Sequence, residues 1–118
     1  LYNGLADLSD RLILPQATSG SDPSWFGFAI TVRREATFSR NEMVVHLENQ
    51  GIQTRMLFGG NLIKHPCFNG MRRKEDGYRT ISDLKNTDDI MNKTFWVGVY
   101  PGMTEEMIVS IIRRTKEI

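Results

Sequence analysis

The chain has 118 residues, 40% of them hydrophobic, with a formal net charge of +1 and a pI near 8.1. This length supports one domain with one core. The near-neutral charge gives no electrostatic argument for binding nucleic acid or an anionic membrane, and no apolar window is long enough to predict a membrane span. The single cysteine, Cys67, excludes an internal disulfide and a multi-cysteine metal site built from this chain alone, and it favours a reducing, cytoplasmic compartment.

The N-terminal segment predicts a helix end followed by a short strand. Leucine recurs at helical spacing, at Leu1, Leu5, Leu8 and Leu12. Residues 11–14 are predicted to be extended and to end at Pro15. We interpret residues 1–14 as the remnant of an inter-domain helix and a first strand, so that the chain would be a fragment of a longer protein. A polar, turn-forming connector is predicted over residues 16–23.

Two segments, 24–33 and 95–100, alternate apolar side chains as strands do. One face of each segment is apolar: it carries Phe26, Phe28, Ile30 and Val32 in the first segment and Phe95, Val97 and Val99 in the second. The opposite face of each segment has a tryptophan and, two residues later, a glycine: Trp25 with Gly27, and Trp96 with Gly98. Glycine inside a strand often marks close approach by another group. We therefore expect a bulky neighbour, a tryptophan or a helix, against each glycine.

Three helices are predicted from capping and periodicity. Ser39 and Glu42 form a capping box for a helix over residues 39–50, which Gly51 ends. A short helix is predicted over residues 87–93, where capping explains the adjacent pair Asp88 and Asp89. Thr104 is predicted to cap the last helix. The apolar side chains predicted to be buried in the first and last helices are Met43, Val44, Leu47, Ile108, Ile111 and Ile112, and the methionines expected to fill gaps in the core are Met43, Met56 and Met107.

The stretch 52–68 is the one that the rest of the chain is predicted to hold in place. It begins as a short strand. One face of this strand carries Thr54, Met56 and Phe58, and the other carries Arg55 and Leu57.

A loop follows that strand. Gly59 and Gly60 allow backbone conformations that other residues resist, and Pro66 ends any helix behind them. Between these residues the loop carries an amide, an amine and an imidazole: Asn61, Lys64 and His65. Rigid elements commonly present function on such loops, so the loop is a candidate for facing a ligand. An ordinary turn is the alternative interpretation, since the loop matches no phosphate-binding pattern.

The predicted elements give an α+β fold: a small, mainly antiparallel sheet with helices packed on one face, in a single domain over residues 1–118. Residues 69–80 are charged and rich in turn formers, and they are predicted to be a solvated surface excursion. No catalytic constellation with a recognisable local context is present in the sequence. Of the two histidines, His46 is predicted to lie inside a helix and His65 is the one in a suggestive place.

Three blocks of the sequence carry a resemblance to a known family. They are SDPSWFGFAIT (21–31), TRMLFGGNL (54–62) and NTDDIMNKTFWVGVYPGMTEEM (86–107). In this order and spacing they resemble the C-terminal portion of the nucleotide-sugar 3-dehydrases of lipopolysaccharide biosynthesis, the CDP-4-keto-6-deoxyglucose or RfbH type. That family belongs to the DegT/DnrJ/StrS sugar aminotransferase group, within the aspartate-aminotransferase fold. The resemblance covers nearly the whole chain.

The resemblance implies that the chain is the small C-terminal domain of a longer enzyme of 3,6-dideoxyhexose biosynthesis. The family uses pyridoxamine or pyridoxal phosphate and a two-iron two-sulfur cluster, which upstream residues would anchor. It acts on a nucleotide-linked keto-deoxy sugar with a flavin and iron–sulfur reductase partner, and a homodimer is expected. The fragment alone is expected to be inactive, with no catalytic residue and no metal site.

The same resemblance points to residues near the substrate. The positions carried over as substrate-binding are Arg55, Phe58, Gly59, Gly60 and Asn61, with Lys64 and His65 as further candidates. Arginine suits an anionic phosphate, and asparagine suits sugar hydroxyls because it both donates and accepts hydrogen bonds. These residues would bind and orient the substrate, while the cofactor would supply the chemistry.

Three alternatives stay open at this point. The first is a sugar aminotransferase of the same group. The second is an RNA-binding module, because the aromatic segment 25–32 is similar to a strand on which bases stack, although Pro23 and Ser24 stand where that motif has a basic residue. The third is an interaction or dimerisation domain without a catalytic role. The sequence does not decide which nucleotide sugar is used.

Overall fold

The computed structural model describes residues 1–71 and 77–118. Within these residues one sheet of four antiparallel strands has the order β1-β2-β4-β3. The strands are β1 (Leu12–Ile13), β2 (Gly27–Val32), β3 (Thr54–Met56) and β4 (Thr94–Gly98), and the helices are α1 (Tyr2–Leu5), α2 (Arg40–Asn49), α3 (Lys85–Lys93) and α4 (Glu105–Lys116). The predicted α+β fold with an antiparallel sheet is confirmed. The predicted excursion over residues 69–80 falls partly on residues 72–76, which lie outside the described residues.

The core lies on one face of the sheet. Alternate residues of β2 and β4 are buried on this face, as the sequence predicts: Phe28, Ile30, Val32, Phe95 and Val97. Residues 1–8, β1 and α2 cover this face of the sheet, and their buried side chains are Leu5, Leu8, Leu12, Met43 and Leu47. The sheet therefore has a packed face and an open face, and the open face carries the alternate residues.

Two apolar residues at strand ends are exposed. Phe26 is 74% exposed, because the pairing of β2 with β4 ends at Gly27 and Gly98 and leaves the preceding residue outside the alternation. The Phe26 ring contacts Trp96 at a centroid distance of 5.1 Å. Met56 is 44% exposed at the end of the edge strand β3, where its sulfur meets the guanidinium of Arg40. The prediction that Met56 fills the core is therefore wrong, and Phe26 does not share the burial of the other residues on its predicted face.

The paired glycines of β2 and β4 differ in their surroundings. A Cβ at Gly27 would lie 2.3 Å from Cε3 of Trp96, so the tryptophan ring packs directly on the backbone. The predicted bulky neighbour is therefore confirmed for Gly27. No heavy atom of the described residues comes within 4 Å of a Cβ built at Gly98, and the same prediction is wrong there.

The capping residues act as the sequence predicts. Ser39 Oγ accepts a hydrogen bond from the backbone N–H of Glu42 at 3.2 Å, and Glu42 Oε2 accepts one from the N–H of Ser39 at 2.7 Å. The hydrogen bond from the Ser39 backbone holds the pKa of Glu42 below its usual value. Gly51 ends α2 with φ +77°, a left-handed conformation that favours glycine. Thr104 Oγ1 accepts the N–H of Met107 at 3.3 Å and caps α4.

The helices differ from the predictions at three points. The first helix ends at Leu5 and continues only as a 3₁₀ turn over Ala6–Leu8. Met107, predicted to fill the core, is 45% exposed, and its sulfur accepts the Tyr100 hydroxyl at 3.9 Å. α3 begins at Lys85, two residues before the predicted start. None of the described helices is both long and apolar enough to cross a membrane.

Candidate functional site

The central loop, residues 57–68, leaves the edge strand β3 at the rim of the sheet. The predicted strand face ends earlier than expected, since β3 stops at Met56 and Phe58 has φ +48°. Two 3₁₀ turns, Leu62–Lys64 and Pro66–Phe68, form the second half of the loop. The predicted combination of a short strand and an irregular loop is therefore present, with Phe58 in the loop and not in the strand.

Phe58 is an exposed aromatic residue in a left-handed conformation. Its N–H donates to the Met56 carbonyl at 2.8 Å, and its side chain is 77% exposed. The left-handed region costs a residue with a Cβ about 1–2 kcal/mol. Because burial of the ring offsets none of this cost, Phe58 is a candidate contact residue whose backbone is held by the loop around it.

The two glycines of the loop have different roles. Gly60 has φ +63°, and a Cβ there would lie 2.5 Å from Cγ of Met91. Glycine is required at this position for its conformation and for the close approach of α3. Gly59 is outside the left-handed region, and a Cβ there would meet Leu62 Cδ2 at 3.2 Å. The expectation that both glycines need a special backbone conformation thus holds only for Gly60.

Asn61 lies inside the structure and is bonded to α3. It is 2% exposed, and its side-chain Nδ2 donates to Asp88 Oδ1 at 2.8 Å. Its backbone N–H donates to Met91 Sδ at 3.3 Å. Lys64 Nζ reaches the same oxygen of Asp88 at 2.8 Å. Two predicted site residues, Asn61 and Lys64, are therefore tied to one carboxylate.

This carboxylate stays ionised over a wide pH range. The hydrogen bond from Lys64, followed by that from Asn61, lowers the pKa of Asp88 below its usual value. A carboxyl group with a lowered folded-state pKa contributes stability at neutral pH and loses it as the pH falls through that lowered value. The attachment of the loop to α3 is thus expected to persist at neutral pH and to weaken only in acid.

His65 closes the loop on its other side. Its Nε2 donates to the Gly59 carbonyl, with the two atoms 2.6 Å apart. This bond requires the proton on Nε2, so in the neutral ring Nδ1 is left as an acceptor. The geometry assigns His65 a bond within the loop.

Arg55 lies on the open face of the sheet. It stands opposite Trp96 in the pairing of β3 with β4, and its side chain is exposed. Its Nη1 donates to the carbonyl of Thr54 at 3.1 Å. Glu48 Oε1 accepts hydrogen bonds from the Thr54 N–H at 2.6 Å and from the Thr54 hydroxyl at 2.8 Å. A permanently charged guanidinium with donors to spare is suited to an anionic group.

The adjacent acids of α3 do not cap the helix, so that part of the prediction is wrong, although Asp88 lies in the first turn as predicted. Asp89 pairs with Arg34 through both carboxylate oxygens, at 3.0 and 2.8 Å, and with Lys93 at 2.8 Å. The first N–H groups of α3 are satisfied by Ser82 Oγ, which accepts from Leu84, and by Asp83 Oδ1, which accepts from Lys85. Asp88 and Asp89 instead join α3 to other parts of the molecule.

Among the described residues, Cys67 and His46 are the remaining candidate groups. The Cys67 thiol is exposed and unpaired. Residues 1–71 and 77–118 contain no group of three or more histidine, cysteine, aspartate or glutamate side chains placed to hold a metal ion. His46 Nε2 lies 2.8 Å from the Arg114 carbonyl, so it joins α2 to α4. His46 therefore has a structural role.

A separate open groove lies between the end of α2, the end of β4 and α4. It encloses about 410 Å³ and is lined mainly by apolar side chains, among them Ile52, Val97, Met103 and Ile111. None of the predicted site residues lines it. The groove is therefore a different feature from the central loop.

Sequence reasoning missed two residues that shape the loop, Asp88 and Met91. Both contact the loop from α3, 27 and 30 positions away from Asn61. Their spacing of three residues places them on one helical face, which is the one local signal that pointed to a shared partner. The pattern did not indicate that this partner is the central loop.

Nearly the whole chain is similar to members of one known protein family. A family model described as the DegT/DnrJ/EryC1/StrS aminotransferase family matches residues 1–116. The chain is 48% identical over 117 residues to a dTDP-4-dehydro-2,6-dideoxy-D-glucose 3-dehydratase of Saccharopolyspora spinosa, covering 99% of this chain and 24% of that protein. It is 44% identical over 117 residues to the lipopolysaccharide biosynthesis protein RfbH of Salmonella typhimurium (strain LT2), covering 99% of this chain and 26% of that protein.

The fold is also found in solved structures. An E. coli GDP-4-keto-6-deoxy-D-mannose-3-dehydratase with bound hydrated PLP matches with a TM-score of 0.75 and 22% identity, over 97% of this chain and 27% of that chain. At this level of identity the match shows the fold alone. The chain spans about a quarter of the length of the curated relatives that it matches.

Proposed function

Because the chain belongs to the DegT/DnrJ/EryC1/StrS aminotransferase family, we propose that it is the small C-terminal domain that completes the substrate side of a nucleotide-sugar 3-dehydratase. One observation carries the proposal: the similarity to a sugar 3-dehydratase and to RfbH, at 48% and 44% identity, extends over 99% of the chain. The chain spans only about a quarter of these proteins, so the activity is proposed for the intact protein.

The proposed substrate is a keto-deoxy sugar linked to a nucleoside diphosphate. The similar proteins include a dTDP-sugar 3-dehydratase and a GDP-sugar 3-dehydratase, so the base varies while the class of linked sugar is shared. A diphosphate is an anion that an exposed guanidinium recognises well, and an exposed aromatic ring can stack on a base or pack against a sugar. Arg55 and Phe58 provide these two groups at the edge of the sheet.

The other predicted site residues act through the shape of the loop. Asn61 is buried and bonded to Asp88, so we assign it a positioning role beside any contact of its remaining polar atoms with a sugar hydroxyl. Gly60 leaves room for Met91 of α3, and Gly59 lies beside Leu62, so both glycines shape the backbone of the loop. Lys64 and His65 are engaged with Asp88 and Gly59, which fixes the second half of the loop.

The described residues do not fit as anchors for the family's cofactors. Pyridoxal or pyridoxamine phosphate supplies an electron sink for the sugar chemistry when bound. Lys64, Lys93 and Lys116 each pair with an aspartate at 2.8 Å, and Lys85 is exposed. A two-iron two-sulfur cluster needs about four ligands, and Cys67 is one exposed thiol. No chemical step is therefore assigned to this chain, and its proposed work is binding and orientation.

Further parts of the proposal concern the intact protein. Pyridoxal or pyridoxamine phosphate, the cluster, a flavin and iron–sulfur reductase partner and a homodimer are proposed because the sequence resembles the family. A cytoplasmic location is proposed because the chain has a single cysteine. The PLP bound in the E. coli neighbour supports the proposed cofactor. The family description also names aminotransferases, so a sugar aminotransferase is the second candidate.

Product analysis separates the two candidates. We expect the intact protein, supplied with a nucleotide-linked 4-keto-6-deoxy sugar, pyridoxamine phosphate and a reducing system, to form a product that lacks the C3 oxygen. An aminotransferase supplied with an amino donor would keep the C3 hydroxyl and place nitrogen at C4. Mass spectrometry and NMR of the product distinguish these outcomes, and retention of the C3 hydroxyl would rule out the dehydratase proposal. The 118-residue chain alone serves as the control and is expected to be inactive.

A further inference from the structure

We propose that Asp88 is a positioning residue for the central loop, which it holds against α3 through Asn61 and Lys64. Its effect on substrate binding rests on the proposed function of the loop, whereas the attachment itself does not. Asp88 is not one of the residues predicted to bind substrate, and its Oδ1 bonds to Asn61 and Lys64 of the loop. It would therefore act on a ligand only through the loop.

The first support is the geometry at the carboxylate. Asp88 Oδ1 accepts Asn61 Nδ2 and Lys64 Nζ, each at 2.8 Å. Asn61 is 2% exposed, so water cannot readily replace the carboxylate as its partner. Removing one partner of a buried polar group costs more than the bond itself, because the other partner is left unsatisfied. Asp88 thus determines whether Asn61 can stay buried.

The second support is the packing one helical turn further on. Met91 lies three residues after Asp88, on the same face of α3. Its Sδ accepts the backbone N–H of Asn61 at 3.3 Å, and its side chain fills the space beside Gly60. The loop backbone therefore meets α3 at a polar contact and an apolar contact within one turn. Because Met91 fills the space beside Gly60, a side chain does not fit there, and glycine also suits the left-handed backbone at this position.

The third support is that α3 itself is fixed. α3 ends at Lys93 and passes directly into β4, the strand paired on both sides in the sheet. Asp89 adds a two-oxygen contact with Arg34 beyond β2. A loop attached to this helix takes its position from the centre of the sheet, not only from the edge strand β3. The exposed Phe58 would be presented by a rigid frame.

Hydrogen exchange of the intact protein tests the attachment directly. We expect Asp88→Ala to increase the exchange of backbone amides in residues 58–64 by about fivefold or more, the size of effect expected for losing a partner of a buried amide. Asp7→Ala is the matched control, because Asp7 pairs with Lys116 at the same 2.8 Å far from the loop. Asp88→Asn keeps the shape of the side chain and an oxygen that accepts from Asn61, so it is expected to fall between Asp88→Ala and the wild type.

Kinetics of the same variants test the link to substrate. If Asp88 positions the loop, Asp88→Ala raises KM for the nucleotide sugar with a smaller change in kcat, and Asp88→Asn restores part of the loss. Exchange in residues 58–64 equal to that of Asp7→Ala would overturn the inference, whatever the enzyme does. Faster exchange with KM unchanged would overturn the positioning role. A wild-type protein that makes no C3-deoxy product would refute the proposed function separately, and the exchange comparison would then decide alone whether Asp88 holds the loop.

Discussion

Replacing Phe95 with alanine is expected to lower the free energy of unfolding of the chain by about 3–5 kcal/mol. Phe95 is fully buried in β4, where it stands between Ile30 of β2 and Met56 of β3. The ring is among the largest side chains that are fully buried, and its loss leaves a cavity in a sheet that is paired on both sides at that point. Urea unfolding followed by circular dichroism measures the change.

Ile81→Ala is the control for this substitution. Ile81 is 92% exposed, so its truncation is expected to change the free energy of unfolding by no more than about 0.5 kcal/mol. A loss below about 1 kcal/mol for Phe95→Ala would contradict the placement of this residue at the centre of the core.

Gly27→Ala is expected to destabilise the chain by about 1–3 kcal/mol, the usual cost of forcing an extra methyl group into a packed site. The added Cβ would lie 2.3 Å from a ring carbon of Trp96, well inside van der Waals contact. Either the tryptophan or the backbone of β2 has to move. Urea unfolding gives the loss, and a shift of the tryptophan fluorescence reports the displaced ring.

The register partner of Gly27 supplies the control. Gly98 stands directly opposite Gly27 in the sheet, but within the described residues a Cβ at Gly98 meets nothing inside 4 Å. Gly98→Ala is therefore expected to be neutral or to stabilise by up to about 1 kcal/mol. In a Trp96→Leu background the cost of Gly27→Ala should shrink. Equal costs at the two glycines would show that the ring does not pack on Gly27.

The parts of the fold that follow from local pattern were predictable. Phe28, Ile30 and Val97 belong to apolar side chains that repeat at a period of two in the paired strands β2 and β4. This repeat places them on one face, and that face is buried. The capping box of Ser39 and Glu42 depends only on residues three apart, and it forms as predicted. Features set by neighbours in sequence need no knowledge of the tertiary structure.

Strand ends and exposed edges were not predictable in the same way. Phe26 continues the apolar alternation of β2, yet its partner strand has already ended. Met56 has the correct parity for the core, but β3 is an edge strand and its last residue reaches solvent. The length of a strand depends on how far the adjacent strand continues to provide hydrogen-bonding and packing partners. The adjacent strand is distant in sequence, so a local pattern does not show where the pairing ends.

The candidate site shows the same division. The sequence located the loop from Gly59, Gly60 and the residues that follow, because glycine and proline mark irregular backbone locally. It assigned Asp88 to helix capping, since an acid near a helix start is usually explained by the helix alone. The contact between Asp88 and Asn61 joins residues 27 positions apart, and only the folded chain brings them together.

Protection of the central loop by substrate is the most direct test of its proposed role. Hydrogen exchange of the intact protein would be measured with and without the nucleotide-linked keto-deoxy sugar, with residues 105–116 of α4 as the internal reference. The proposal predicts slower exchange in residues 55–64 on adding the sugar and no change in α4. Protection elsewhere in the protein with residues 55–64 unchanged would contradict the assignment of this chain to the substrate side of the enzyme.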